Sequence, residues 1–174
     1  MAVAITLNQF FAKQHIDYEL IKHRPTETAL DSSKSARLPP EQVAKAVILE
    51  DTDGNFLMAS VPARRSVSLN RLNTLTDSQY KLVNETRLKE LFPDCKKGAI
   101  PSVGKAYNLK MMVDDELLSS PYVYIEAGDH QHMVKINGNE YRQLVANMPH
   151  GEIHGGLLGF RHFRDRKPSW KWIP

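Results

Sequence analysis

Hydrophobic and polar positions along this chain change period many times, and the changes mark its elements. Leu7, Phe10 and Phe11 recur at helical spacing after Thr6, which predicts a helix capped at Thr6 and ending near His15. Tyr18–Lys22 alternates and reads as a strand. A short helix is expected around Ser32–Arg37, and Pro40 is placed to open a further helical turn through Val43. Ala44–Glu50 reads as a buried strand, Asp51-Thr-Asp-Gly54 as a hairpin turn and Phe56–Val61 as the partner strand. Ser68–Leu75 looks helical, Tyr80–Val83 is a short strand, and Asn84 caps a helix running to Leu91. Strands follow at Leu109–Val113, Tyr122–Ala127 and Met133–Ile136, with a helical turn near Asp115–Leu118. Asn137-Gly138 turns the chain into a last helix, Asn139–Asn147. Several strands follow one another without an intervening helix. That pattern predicts an α+β fold with a mixed, mostly antiparallel sheet rather than a doubly wound one.

Bulk numbers change this picture little. The 174 residues suit one domain, and 41% hydrophobic with 25% charged content is ordinary for a globular protein. No apolar run approaches the ~20 residues of a membrane span, and the first residues lack a basic leader pattern. A single cysteine excludes an intrachain disulfide framework and fits a cytoplasmic protein. Charge adds one feature. Arg161, Arg164, Arg166, Lys167 and Lys171 crowd the last fifteen residues, and without that segment the balance turns from +3 to −1. Phe160, Phe163, Trp170 and Trp172 interleave with them, a composition that suits RNA through phosphate contacts and stacking. The same aromatics would equally serve to pin the segment onto the domain. Residues 1–158 are read as the domain and 159–174 as this basic aromatic tail.

Candidate chemistry centres on Phe92–Gly104, where Gly98 and Gly104 bracket Pro101 with few reactive side chains between them. Glycine permits close backbone approach, and such a loop can present N–H groups to an oxyanion or a carbonyl. Five residues separate the glycines and Ala106 follows Lys105, so the loop is not a phosphate-binding P-loop. No dinucleotide glycine fingerprint and no Gly-x-Ser-x-Gly elbow occurs, so no nucleotide cofactor and no serine hydrolase is expected. His150, His154 and His162 lack the spacing of a zinc site, and no metal is expected. Cys95 reads as structural rather than nucleophilic. Lys45, between alanines in an apolar strand, would offer a point charge to a phosphate. His130, in Gly128-Asp129-His130, would be a donor or base near neutral pH. Taken singly, each of these two reads as an ordinary surface residue.

Together the segments resemble the editing-domain family that includes YbaK and the insertion domain of bacterial prolyl-tRNA synthetase. The resemblance rests on His23 with Thr26 and Thr28, then Lys45 within Val-Ala-Lys-Ala-Val-Ile-Leu. It continues through Phe-Pro-Asp-Cys-x-x-Gly-Ala-Ile-Pro-x-x-Gly over 92–104, Val113-Asp114, and Glu126-Ala-Gly-Asp-His130. It spans about residues 15–147. It implies a barrel-like mixed sheet surrounded by helices and metal-independent hydrolysis of the ester in mischarged aminoacyl-tRNA, commonly tRNA for proline, as a trans-acting quality-control deacylase. It implies catalytic positions at Lys45, Gly98, Pro101, Gly104 and His130. Substrate contacts are implied at His23, Thr26, Thr28, Ala99, Ile100, Ser102, Gly128 and Asp129. Lys45 would hold the terminal nucleotide, the Gly98–Gly104 loop would position the aminoacyl carbonyl, and a substrate ribose hydroxyl would help the attacking water. Ser102 departs from the family pattern, where many members carry a second proline, and is expected to bear on amino-acid choice. Expected partners are aminoacyl-tRNA and an aminoacyl-tRNA synthetase, with neither membrane nor DNA. Two alternatives stand beside this reading: a tRNA-binding or synthetase-associated module without turnover, and a small-ester hydrolase.

Overall fold

The computed structural model describes residues 2–157. The basic aromatic tail, with Arg161, Arg164, Arg166, Lys167 and Lys171, lies outside them. In chain order the elements are α1 (Ile5–Gln14), β1 (Glu19–Lys22), α2 (Ala29–Ser35), β2 (Val43–Asp51), β3 (Phe56–Pro62), β4 (Arg65–Val67), α3 (Leu69–Thr76) and β5 (Tyr80–Leu82). They continue with α4 (Glu85–Leu91), a 3-10 turn at Gly104–Tyr107, β6 (Lys110–Asp114), α5 (Asp115–Leu118), β7 (Tyr122–Glu126), β8 (His132–Asn137), α6 (Gly138–Leu144), β9 (His150–Gly151) and β10 (His154–Leu157).

One mixed sheet runs β1-β8-β7-β2-β3-β6-β9, with β5 also on β2, and β4 pairs separately with β10. The hairpins β2–β3 and β7–β8 are antiparallel, as are β1–β8 and β2–β5. The pairs β2–β7, β3–β6 and β6–β9 are parallel. This is the expected α+β class with a mixed sheet. Strand β2 shares one edge between two partners: β7 takes Val43 and Ala44, and β5 takes Leu49–Asp51.

Alternation along β2 sends its two faces to different cores. Ala44 and Ile48 join Met58 and Val113 in the main core with Leu7 and Phe11 of α1, and with Phe92, Ile100 and Val103. Leu49 joins Leu57, Ala59 and Val61 under Leu72 and Leu75 of α3. At the start of β2, Val43 packs with Tyr124, Met133 and Ala29 of α2.

Local departures from the expected elements have physical causes. Thr6 is not the N-cap of α1; the helix starts at Ile5, and the Thr6 N–H donates to Asp94 Oδ2 at 2.8 Å, so a distant loop supplies the cap. Helix α2 begins three residues before the expected start because Thr28 caps it, its hydroxyl accepting from the Asp31 N–H. Pro40–Gln42 forms a turn closed by Gln42 N–H on the Pro39 carbonyl, not a helix, and Val43 already belongs to β2. Strand β9 carries the main sheet past the last expected helix and β10 pairs with β4; the Asp114 carboxylate holds the chain entering β10 by accepting the Ile153 and His154 N–H groups. Among the described residues, no helix is long and apolar enough to cross a membrane.

Candidate functional site

Three loops meet where β7 ends. The first, after β1, carries His23, Thr26 and Thr28; the second is Lys96–Ser102; the third is the β7–β8 connection Gly128–Gln131. Main-chain bonds tie them together: His23 N–H to Gln131 O at 2.8 Å, Thr26 N–H to His130 O at 3.2 Å, and Lys96 N–H to Gly128 O at 2.8 Å. Three left-handed residues shape the junction, Gly98 at φ +83°, Gly128 at φ +112° and His130 at φ +62°. Gly128 is required by packing, since a Cβ there would sit 2.8 Å from the Ala4 Cβ. Gly98 lies against His130, with the imidazole Cε1 3.5 Å and the Glu27 carbonyl 3.3 Å from where a Cβ would stand. A non-glycine left-handed residue such as His130 is strained, a feature that gathers at functional sites.

Hydrogen bonding fixes the two histidine tautomers. His130 Nε2 meets the Lys97 carbonyl, so in the neutral ring Nε2 carries the proton and Nδ1 is a free acceptor. His23 Nδ1 lies 2.7 Å from the Arg24 carbonyl, so its proton is on Nδ1 and Nε2 is the acceptor. Both remaining nitrogens are buried without a partner, and so is Glu126 Oε2. The other Glu126 oxygen accepts from Ser32 Oγ, which itself lies 2.7 Å from Thr26 Oγ1. Burial pushes the Glu126 carboxyl above its ordinary pKa, against the opposing pull of Ser32 and His130. Two imidazole rings, a carboxyl inclined to keep its proton, the Ser32 and Thr26 hydroxyls and the exposed Gly98 backbone thus meet at this junction. Such a set can hold an ester carbonyl and orient water.

Not every expected residue faces this junction. Gly104 is buried, its N–H donates to Met111 Sδ at 3.4 Å, and a Cβ would meet the Leu109 carbonyl at 2.9 Å. It is a packing glycine, and of the two loop glycines only Gly98 is exposed. Ala99, Ile100 and Pro101 turn inward after Gly98. Ser102 is fully buried and donates to Ser60 Oγ at 2.7 Å, which removes it from contact with a substrate. Thr28 spends its hydroxyl on Asp31, accepting from the N–H and donating to Oδ2 at 2.7 Å. Asp129 braces the third loop by accepting from the Gln131 and His132 N–H groups and from His132 Nδ1. Its burial would raise the carboxyl, but these donors outweigh that and hold it below its ordinary pKa.

Lys45 belongs to the same end of the sheet. Carried one residue past the Val43–Tyr124 and Ala44–Ile125 pairs, the parallel register sets Lys45 at the level of Glu126, on the face that α2 covers. Its amine donates to the Arg65 carbonyl at 2.5 Å, and burial lowers its pKa. Arg64 and Arg65 stand beside it and share Glu116. No hydrogen bond among the described residues links Lys45 to the three loops. Burial pushes the Cys95 thiol up to about 12, which disfavours the thiolate, and the sulfur lies 3.3 Å from Tyr107 Oη.

Glu126 and Ser32 were not among the expected site residues. An acid closing the apolar run Tyr122–Ile125 is a legible signal for the first. Ser32, one of three serines in its helix, carries none.

The sequence model described as the aminoacyl-tRNA editing domain matches residues 23–144. No curated protein matches this chain. Among solved structures, hypothetical protein APE2540 superposes with a TM-score of 0.75 at 18% identity, covering 86% of this chain and 99% of that one. A "putative trans-editing enzyme for prolyl tRNA synthetase" superposes with a TM-score of 0.74 at 17% identity, covering 88% of this chain and 97% of that one. At such identities the likeness shows a common fold.

Proposed function

This chain belongs to the aminoacyl-tRNA editing domain family, and on that footing we propose that it is a trans-acting deacylase. It removes wrongly attached amino acids from tRNA, with tRNA for proline as the acceptor, in the cytoplasm and downstream of a synthetase. The observation that carries the chemistry is the trio of buried polar atoms without partners, His23 Nε2, Glu126 Oε2 and His130 Nδ1, beside the exposed Gly98. The acceptor preference is supported by the name of one structural neighbour.

In this reading the ester carbonyl oxygen accepts from the Gly98 N–H, which has no protein acceptor among the described residues. Water, aligned by a ribose hydroxyl of the substrate, attacks the carbonyl carbon and passes a proton to His130 Nδ1. The carbon–oxygen ester bond breaks, the ribose oxygen takes the proton back, and free amino acid leaves. Lys45 trades the Arg65 carbonyl for a phosphate of the terminal nucleotide. The Lys97 carbonyl holds the imidazole in the required tautomer.

The test is a deacylation panel of tRNAs charged with alanine, cysteine or serine, run with a chelator present. Wild type should hydrolyse at least one of them. His130→Ala should lower kcat about 10²–10⁴-fold, and Lys45→Ala should abolish turnover while the fold survives. No hydrolysis by wild type, activity lost to the chelator, or full activity in both variants would overturn the reading.

A further inference from the structure

Outside the three-loop junction, a cleft of about 500 Å³ opens between α4 and the Phe92–Ile100 segment. Its floor is apolar, made by Leu88, Phe92 and Ile100, and its rim carries Lys89, Lys96 and Lys97. Glu85 also lines it, 4.0 Å from the Lys97 amine. Lys89 and Lys96 are exposed and have no carboxylate partner among the described residues. Nearby Arg87 is spent on Glu90 and the Phe56 ring. The cleft thus keeps a net positive rim over an apolar base, within the ~300–1,000 Å³ range of small-molecule sites.

Its position gives this chemistry a purpose. Gly98 lines both the cleft and the junction, and the Lys96 N–H and Lys97 carbonyl are the groups that hold Gly128 and His130. A ligand in the cleft therefore lies next to the reacting end of a substrate at Gly98. We propose that the cleft is a nucleotide subsite, seating one unpaired nucleotide just upstream of the aminoacylated end. Its base rests on Leu88, Phe92 and Ile100, and its phosphate meets Lys89 and Lys96. The assignment rests on the deacylase reading for its substrate. It adds a contact upstream of the phosphate assigned to Lys45, so the strand is held at two successive nucleotides.

The experiment uses the full chain with uncharged tRNA, followed by fluorescence anisotropy over a salt series, and then mischarged tRNA for kinetics. The double variant Lys89→Glu/Lys96→Glu should weaken binding tenfold or more. Losing the contact to that one phosphate should flatten the salt slope by about 0.7. KM should rise with kcat held. Thr86→Trp, at the exposed rim, fills the cleft without changing charge and should weaken binding several-fold with the slope unchanged. Lys13→Glu, exposed on α1, is the control and should change nothing. Unchanged affinity in the double variant, or equal weakening by Lys13→Glu, would overturn the subsite. Failure of the deacylase reading shows separately, as wild type that binds tRNA but releases no amino acid.

Discussion

Asp114 and Glu126 are both buried carboxylates, each at the end of a sheet strand, and they differ in what their oxygens do. Asp114 accepts from the main-chain N–H groups of Glu116, Ile153 and His154 and from His154 Nδ1. With Glu116 and His154 it forms a set whose donor atoms all lie within 4.8 Å, a spacing that would suit a metal. Yet Glu116 is committed to Arg64 and Arg65, and Asp114 to the strand it anchors. Glu126 has one partner, Ser32, and an oxygen left over. A saturated polar cluster is accounted for by the fold, while an unsaturated one keeps capacity for a ligand. The contrast separates a latch from a site where residue types alone would not.

The sharpest way to break this contrast is Asp114→Ala. Leaving one buried and two half-buried N–H groups unpaired should cost about 3–5 kcal/mol, lowering Tm by about 10 °C in a chain of this size, as differential scanning calorimetry would read. Deacylation per folded molecule should persist; its loss would make Asp114 part of the site. Next in size is a matched pair of glycine variants. Gly54 and Gly98 share nearly the same left-handed φ, +82° and +83°, but a Cβ at Gly54 meets nothing within 4 Å. Gly54→Ala and Gly98→Ala should each cost about 1–2 kcal/mol of stability. Only Gly98→Ala should lower kcat, about 10²-fold, by crowding His130 and shifting a carbonyl donor. Equal activity in the two would remove Gly98 from the chemistry.

Much of the fold was legible because its elements are short and self-signalled. Asn84 caps α4 where expected, the helix expected from Ser68 forms as α3 with Ser68 as its cap, and Asp51–Gly54 closes the β2–β3 hairpin. What escaped was set by tertiary contact. The cap of α1 comes from Asp94, 88 residues away. The β4–β10 pair joins Arg65–Val67 to His154–Leu157, far apart in the chain, and carries no local pattern. In the site, the loop glycines and His130 drew attention through composition and His23 through the family resemblance, and Gly98, Gly128, His23 and His130 do converge. Composition could not tell that Gly104 packs against Met111 or that Ser102 faces Ser60, because burial of a loop depends on what lies beneath it.

Ser102 gives a smaller test of the same contrast. Its hydroxyl belongs to a buried chain through Ser60 toward Tyr141, whose oxygen lies 3.4 Å from Ser60 Oγ. Ser102→Ala should cost about 1 kcal/mol and leave the ranking of removed amino acids unchanged across the panel. A changed ranking would return Ser102 to the pocket.

The subtlest effect belongs to Glu126. Its folded pKa is raised by burial, so the folded state binds a proton more tightly than the unfolded chain does. The corresponding stability is present in full below the ordinary carboxyl value of 4.5 and is lost as pH rises from there through the raised folded value. Glu126→Gln keeps an oxygen for Ser32 and cannot ionise, so it should flatten that part of the Tm-against-pH curve and match wild type at the acidic end. If His130 Nδ1 works next to a proton held on Glu126, the alkaline limb of kcat should move in the same variant while KM stays. A Tm curve that keeps its slope in Glu126→Gln would show that Glu126 is ionised throughout and paired after all, and the contrast with Asp114 would collapse.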